Sequence, residues 1–315
     1  GYLLMGAAKT VLMLFLARLI DGIAGANIGA AQAYLADIST PENRAKAMGL
    51  LGAAFGLGFV FGPALGGWAG ATFNYSAPMY IAAGLAAVNF FFVLFFLPES
   101  RQPGTAPQRQ ERIFPHLLEN VDQGIYFRTL AGYFLVIAGF SMMTTLFALM
   151  LFHRFGLDTL HTGYILAGIG VLGVIIQGGL IGRLVKRFGE ARLAFAGTLI
   201  MAAGLAGLAF AQGLPAMFVA AAATGVGNSL LMPTLSAMAS RSANAEWQGR
   251  ALGVMQSSGS LARWVGPLTA GVLLGLQADS ARTDYAFWPL AVSAGFLVIA
   301  AGTVFSLRRD PKTGG

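Results

Sequence analysis

The chain has no cysteine and only three histidines among its 315 residues. Without cysteine it forms no disulfide and offers no thiolate ligand to a metal ion. The histidines, His116, His153 and His161, do not have the spacing of a metal-binding cluster. Nothing in the sequence resembles a catalytic nucleophile or a phosphate-binding loop in its required context. We therefore expect no metal, no cofactor and no enzymatic activity.

Charge is also scarce. Charged residues make up 10% of the chain and hydrophobic residues 56%, whereas a soluble domain carries roughly 25% charge. Nine apolar segments are each long enough to cross a bilayer core of about 30 Å, which indicates an all-α polytopic membrane protein. They are residues 11–36, 47–71, 78–97, 129–152, 163–182, 193–211, 216–239, 251–277 and 285–307. Residues 1–8 resemble the tail of a tenth span.

The net charge of +7 is unevenly distributed along the chain. Fifteen of the 20 lysines and arginines fall in alternate connections between the predicted spans, and three fall in the others. By the positive-inside rule, the fifteen face the cytoplasm, together with the long polar stretch 99–128 and the C-terminus. The basic excess therefore predicts orientation in the cell (cytoplasmic, or inner) membrane. It does not predict a nucleic-acid site, and we expect a monomer in a lipid bilayer.

The segment Gly49–Gly67 contains glycines at a distinctive spacing inside an apolar run. Gly58, Gly62 and Gly66 lie four residues apart and share one helix face, which lets another membrane helix approach closely. Pro63 cannot donate to the carbonyl of Phe59, so the helix bends or loosens there. The pattern consists of Gly49, Gly58, Gly62, Pro63, Gly66 and Gly67.

This spacing resembles the fifth-span signature of antiporters in the major facilitator superfamily, in the drug:proton group that includes the tetracycline efflux pumps. The resemblance implies a fold of two six-helix halves related by a pseudo-twofold axis, with a solute site between them and alternating access. It also implies that the glycine face packs across the interface between the halves, where it restricts leak and favours antiport.

An internal repeat supports the two-half plan. Residues 41–67 align without a gap with residues 245–271, and the Gly62-Pro63 pair falls on Gly266-Pro267. At this offset the counterparts of about three spans precede residue 1, so we expect a truncated first half. The expected organisation is residues 1–98 for the remainder of that half (end of span three, spans four to six), 99–128 for a cytoplasmic linker, and 129–315 for spans seven to twelve.

Residues 182–192 resemble the superfamily's cytoplasmic loop signature, which implies a gating role. Lys186 stands where the signature has aspartate, and Glu190 stands where it has arginine. These departures put a charge-relay role for this copy in doubt. The candidate gating residues are those that match the signature, namely Gly182, Arg187, Gly189 and Arg192.

Three ionisable residues lie within predicted spans: Arg18, Asp21 and Arg263. A charge at the bilayer centre costs about 2.5–3.5 kcal/mol on insertion scales. Arg18 and Asp21 are three residues apart, so their side chains can meet on one helix face. With Gly22, Arg18 resembles the family's fourth-span signature, whose arginine is associated with proton coupling. The alternative is a static ion pair with no role in coupling.

Five residues are candidates for lining a substrate cavity: Asn27, Gln32, Asn228, Gln256 and Arg263. The four uncharged residues could instead hydrogen-bond to a neighbouring helix, and Arg263 could instead pair with a group in the expected missing segment. We expect proton-coupled antiport (efflux) of a small amphiphilic, drug-like solute such as tetracycline. The alternative is proton-coupled or facilitative transport of a metabolite, either a sugar or an organic anion. The surplus of buried arginine suits an anion, whereas the fifth-span signature speaks against uptake.

Overall fold

The computed structural model describes residues 1–23, 31, 34–35, 38, 44–98, 117–244, 247–276 and 284–308. The described chain is helical, apart from one isolated bridge between Val121 and Ala243. The helices are α1 (Tyr2–Gly6), α2 (Val11–Ile23), α3 (Arg44–Thr72), α4 (Ala77–Phe96), α5 (Gln123–Phe155), α6 (Thr159–Ile175), α7 (Ile181–Phe188), α8 (Glu190–Phe210), α9 (Leu214–Arg241), α10 (Gln248–Gly275) and α11 (Phe287–Arg308). A π-helical turn, Ile176–Leu180, joins α6 to α7.

Six of these helices are long and apolar enough to cross a membrane, as far as the described residues go. Their ranges are Ala77–Phe96, Gln123–Phe155, Thr159–Phe188, Glu190–Phe210, Leu214–Arg241 and Phe287–Leu307. Six of the nine predicted spans correspond to these ranges. The helices α2, α3 and α10, which lie in the predicted spans 11–36, 47–71 and 251–277, are not among the six. α5 begins at Gln123 rather than at 129, because Asp122 caps it by accepting a hydrogen bond from the Ile125 amide at 3.3 Å.

The chain divides into two compact units. The first comprises Gly1–Arg109 together with Thr159–Ala167, the beginning of α6. Within it, α1 contacts both α2 and α4, and α3 contacts α4. Gly6 permits the contact with α4, because a methyl group at that position would lie 2.8 Å from the ring of Tyr80.

The second unit comprises Gln110–Asp158 and Gly168–Gly315. In it, α8 packs against α9 and α11, while α5 packs against α10 and α11. Small residues allow the close α8–α9 crossing, as is common between membrane helices. A methyl group at Gly204 would lie 2.5 Å from the Thr224 amide nitrogen, and one at Gly227 would lie 2.7 Å from the carbonyl oxygen of Gly197.

Arg154 ties the C-terminal end of α5 to that of α8. Its guanidinium donates to the carbonyls of Leu208 and Ala209, each at 3.0 Å. The last carbonyls of a helix have no partner within the helix, so these bonds satisfy groups that otherwise need water. Beside it, the ring of His153 stacks on Tyr285 with centroids 4.3 Å apart.

The predicted linker is anchored where it enters α5. The Asp122 amide donates to the Ser242 carbonyl at 2.7 Å, and the Asn244 amide donates to the Asn120 carbonyl at 2.9 Å. The Asn244 side chain adds a bond to that of Asn120 at 3.1 Å. The end of the linker is therefore hydrogen-bonded to the connection between α9 and α10.

Candidate functional site

The glycine-proline segment lies in the middle and C-terminal part of α3, and it makes a backbone contact with the beginning of α6. A methyl group at Gly163 would lie 2.7 Å from the carbonyl oxygen of Pro63 and 3.1 Å from the Cα of Gly67. A methyl group at Gly67 would lie 3.0 Å from both the Thr159 carbonyl oxygen and the Gly163 Cα. The two helices therefore touch backbone to backbone, which only glycine permits.

The predicted contact face, Gly58, Gly62 and Gly66, is not the one that makes this contact. A methyl group at any of the three would have no neighbour within 4 Å. Among the described residues no helix makes a close crossing with this face, and its packing across the interface between the halves stays a prediction. The adjacent Gly66-Gly67 pair places glycine on two faces of α3, and the face containing Gly67 meets α6. Gly49 lies in α3 as well.

The duplicated segment in α10 packs against α5. A methyl group at Gly266 would lie 2.6 Å from the Ala138 carbonyl oxygen and 3.0 Å from the Ser141 Cβ. Gly266 is the repeat equivalent of Gly62, whose own surroundings are open. Gly271, the equivalent of Gly67, also has open space beside it.

Arg18 and Asp21 face each other on α2, as their spacing predicts. Arg18 Nη1 and Asp21 Oδ2 are 3.8 Å apart. The arginine side chain is 68% exposed and the aspartate side chain 30% exposed. The structure thus places one carboxylate and one guanidinium together on the same face of α2.

Arg263 and Gln256 belong to a polar cluster between α10 and α5. Gln256 Oε1 accepts a hydrogen bond from the Tyr133 hydroxyl at 3.2 Å. Arg263 Nη2 donates to Ser260 Oγ at 3.3 Å. Ser141 Oγ donates to the Arg263 carbonyl at 3.4 Å. The structure thus brings together two of the five cavity candidates and adds Tyr133 and Ser260.

The other three cavity candidates are not part of this cluster. Asn228 lies on α9, and its Oδ1 is buried without a hydrogen-bond partner among the described residues. Buried polar atoms are seldom left unpaired, so this oxygen is free to accept from a ligand or a water molecule. Asn27 and Gln32 lie outside the described residues.

The candidate gating loop forms a sharp turn between α7 and α8. Gly189 has a φ of 79°, a conformation that side chains other than glycine rarely adopt. Arg187 lies over the ring of Phe188 at 5.3 Å, Gly182 has open space beside it, and Arg192 is exposed in the first turn of α8. The loop thus combines an obligatory glycine with outward-facing cations.

Glu190, which departs from the loop signature, forms an ion pair with the last residue of α9. Its Oε1 lies 3.3 Å from Arg241 Nη2, and its side chain is 12% exposed. A carboxylate at a helix N-terminus and a cation at a helix C-terminus are each favoured by the helix dipole. The glutamate that stands in place of the signature arginine therefore links α8 to α9 through an ion pair.

Sequence reasoning did not single out Gly163, Tyr133 or the Glu190–Arg241 pair. Gly163 lies in a run without a recognisable spacing, and Tyr133 is one of several aromatic residues in an apolar segment. Only Glu190 could have been found from the sequence. An acidic residue in an otherwise basic loop suggests an ion pair with a nearby cation.

A model of the Major Facilitator Superfamily matches the chain over residues 1–189 and again over residues 130–315. The class C tetracycline resistance protein of Escherichia coli is 32% identical over 90% of this chain and 70% of that protein. The class B protein of the same organism is 30% identical over 86% of this chain and 68% of that protein. Multidrug resistance protein 1 of Bacillus subtilis is 29% identical, over 88% and 70%.

Two solved structures share the fold. The human organic anion transporter MFSD10 superposes with a TM-score of 0.72 at 23% identity, covering 96% of this chain and 73% of that one. A bacterial homologue of the human lysosomal transporter Spinster superposes with a TM-score of 0.73 at 16% identity, covering 98% and 80%.

Proposed function

The chain belongs to the major facilitator superfamily of membrane transporters, and we propose that it exports a small amphiphilic, drug-like solute such as tetracycline in exchange for protons. Family membership and the all-α polytopic fold expected from the sequence are confirmed. The chain is therefore a multi-pass membrane transporter of small molecules and not an enzyme. The direction of transport, its coupling to protons and the identity of the solute make up the proposal.

The ion pair of Arg18 and Asp21 is the observation that carries proton coupling. The two groups lie 3.8 Å apart on one membrane helix, and the carboxylate keeps partial exposure. A charged pair at bilayer depth is costly to maintain, so ionisable residues there mark proton or substrate pathways. Loading Asp21 with a proton on one side and releasing it on the other would couple solute export to proton entry.

The curated relatives support the choice of solute. The similar proteins named above confer resistance to tetracycline or to multiple drugs, as their names state. We infer from the distribution of basic residues that the inter-half connection and the C-terminus face the cytoplasm of the cell (inner) membrane. In this orientation the turn at Gly189 lies at the cytoplasmic end of the unit, where Arg187 and Arg192 gate the solute path in a protein that acts as a monomer.

Proteoliposomes containing the purified chain test the proposal. An imposed pH gradient is expected to drive tetracycline transport in the direction opposite to proton flow, measured with a pH-sensitive dye and labelled tetracycline. Asp21→Asn is expected to abolish gradient-driven transport, because an amide does not carry the proton. Arg18→Ala is expected to reduce transport at least about tenfold, because the carboxylate loses its charged partner. Undiminished export by Asp21→Asn would show that coupling resides elsewhere.

Asp122→Asn provides a matched control. Asp122 caps α5 outside the predicted spans, and asparagine caps helices about as well as aspartate. This variant removes a carboxylate without removing the α2 pair, so it is expected to transport at the wild-type rate. Solute and protons moving in the same direction would indicate uptake and would overturn antiport.

A further inference from the structure

Helix α10 carries a stripe of polar side chains at its centre. Gln256, Ser260 and Arg263 are spaced by four and three residues, so they share one helix face. Arg263 is the sixteenth of the 28 residues of α10, which places its Cα about 2 Å from the helix midpoint at ~1.5 Å per residue. A cation is therefore attached at the middle of the predicted eleventh span.

Tyr133 on α5 fixes the orientation of Gln256. The tyrosine is 3% exposed and donates its hydroxyl to Gln256 Oε1 at 3.2 Å. Its ring rests on Gly259, where a methyl group would lie 2.7 Å from the ring carbon Cε1. Because the amide oxygen is occupied by Tyr133, the amide NH2 group of Gln256 is left as a donor.

The ion pairs of Asp21 and Glu190 in the described part of the chain do not include Arg263. The Arg263 side chain is exposed on the surface of its unit. Intramembrane arginines almost always face a protein interior or a water-filled cavity rather than lipid. A guanidinium has five N–H donors in a planar fork that matches a carboxylate, and Ser260 accepts from one nitrogen.

From this geometry we propose that Arg263 and Gln256 bind an oxyanion of the transported solute, with Ser260 and Tyr133 as positioning residues. The solute class is then an amphiphile that carries a carboxylate or an enolate-type oxyanion, either as an organic acid or as a zwitterion. This inference rests on the proposed export function and specifies the chemistry of its substrate.

The test uses proteoliposomes of the whole chain with an imposed pH gradient. The solutes are tetracycline and three naphthalene probes that are similar to one another in size. The probes are 2-naphthoate, 2-naphthamide and 2-naphthylmethylammonium, which differ only in charge and hydrogen-bonding group. We expect the carboxylate to be transported, or to compete with tetracycline, at least about tenfold better than the carboxamide. A hydrogen bond to a charged group is worth about a factor of ten to a hundred.

Arg263→Gln is expected to lower the ratio of carboxylate to carboxamide transport at least about tenfold, the loss of one hydrogen-bonded charge, and Arg263→Lys is expected to keep part of that ratio. A wild-type chain without preference for the carboxylate, or an Arg263→Gln variant that weakens all three probes equally, would overturn the inference and leave export standing. Failure to transport tetracycline and every probe would overturn the proposed function, and this inference with it.

Two pairs of variants distinguish an effect on recognition of the solute carboxylate from an effect on folding. Ser257 and Ser260 both donate to the carbonyl four residues earlier at 3.1 Å, but only Ser260 also contacts Arg263. Ser260→Ala is expected to reduce the preference for the carboxylate about threefold, the weaker end of the range for one hydrogen bond, and Ser257→Ala to leave it unchanged. Equal effects of the two serine variants would contradict the proposed site.

The two buried tyrosines of α5 form the second pair. Tyr126 donates to the backbone carbonyl of Ala251 at 2.8 Å, whereas Tyr133 donates to the Gln256 side chain. Tyr126→Phe is expected to lower thermal stability without changing the ratio of carboxylate to carboxamide transport. Tyr133→Phe is expected to lower that ratio. This comparison keeps the inference testable if Arg263→Gln fails to fold, and an unchanged ratio in Tyr133→Phe would contradict it.

Discussion

Helices α3 and α10 contain the two copies of the duplicated glycine-proline segment, and they use it differently. In α10, Gly266 touches the backbone of α5, whereas its equivalent in α3, Gly62, has no neighbour within 4 Å. In α3, Gly67 touches the backbone of α6, whereas its equivalent in α10, Gly271, has open space beside it. Each copy thus has two glycines that could contact a neighbouring backbone. The first of them makes the contact in α10 and the second makes it in α3.

The comparison teaches that a glycine pattern specifies where helices can approach, and not which neighbour does so. The helix that packs on Gly266 is α5, whereas no described helix comes within contact distance of Gly62. The same glycine-proline pair is therefore covered in α10 and open in the described part of α3.

The largest expected effect is at Gly266. A methyl group there meets the Ala138 carbonyl oxygen at 2.6 Å, so Gly266→Ala must separate α10 from α5. Overpacking of this kind costs about 1–3 kcal/mol, and we expect a clear fall in the melting temperature of the 315-residue chain in detergent. Gly62→Ala, the matched control, is expected to cause no loss. Equal losses would show that a further helix covers the Gly62 face.

An intermediate effect is expected at the contact between α3 and α6. Gly163→Ala forces a methyl group against the Pro63 carbonyl oxygen at 2.7 Å, whereas Gly271→Ala meets nothing within 4 Å. We expect Gly163→Ala to slow solute export in proteoliposomes and to cost about 1–2 kcal/mol of stability, with Gly271→Ala at the wild-type level. A normal export rate in Gly163→Ala would mean that this crossing separates on its own during transport.

The smallest effect is a difference in chemical labelling. The chain has no cysteine, so single cysteines can be introduced without a background signal. Ala262 is 0% exposed, while its repeat equivalent, Gly58, is exposed. Ala262→Cys is expected to be protected from a membrane-permeant maleimide and Gly58→Cys to be labelled readily. Similar labelling rates would remove the asymmetry between the two helices.

Much of the fold was predictable because membrane helices obey local rules. A segment that crosses lipid must be apolar over about 20 residues and must satisfy its backbone within itself. The ends were less predictable, since α5 starts early through the cap at Asp122. The ion pair of Arg18 and Asp21 was also predictable from the sequence, because residues three apart on a helix share a face.

The site beyond that pair depended on distant contacts. Tyr133 and Gln256 are 123 residues apart in the sequence, and nothing near Tyr133 distinguishes it from the other aromatic residues of its helix. The pairing of Glu190 with Arg241 likewise required the packing of α8 against α9.

By itself, the sequence indicated the transporter class through its resemblance to a known family and the duplication through the alignment of two of its own segments. Composition and the spacing within single helices determined the apolar segments and the positions where glycine lets backbones meet. The tertiary structure alone decided which glycine of each copy contacts a neighbouring helix and which polar groups lie around Arg263. Those outcomes depend on how far each helix is rotated and shifted against its neighbour, and many rotations satisfy the same local pattern.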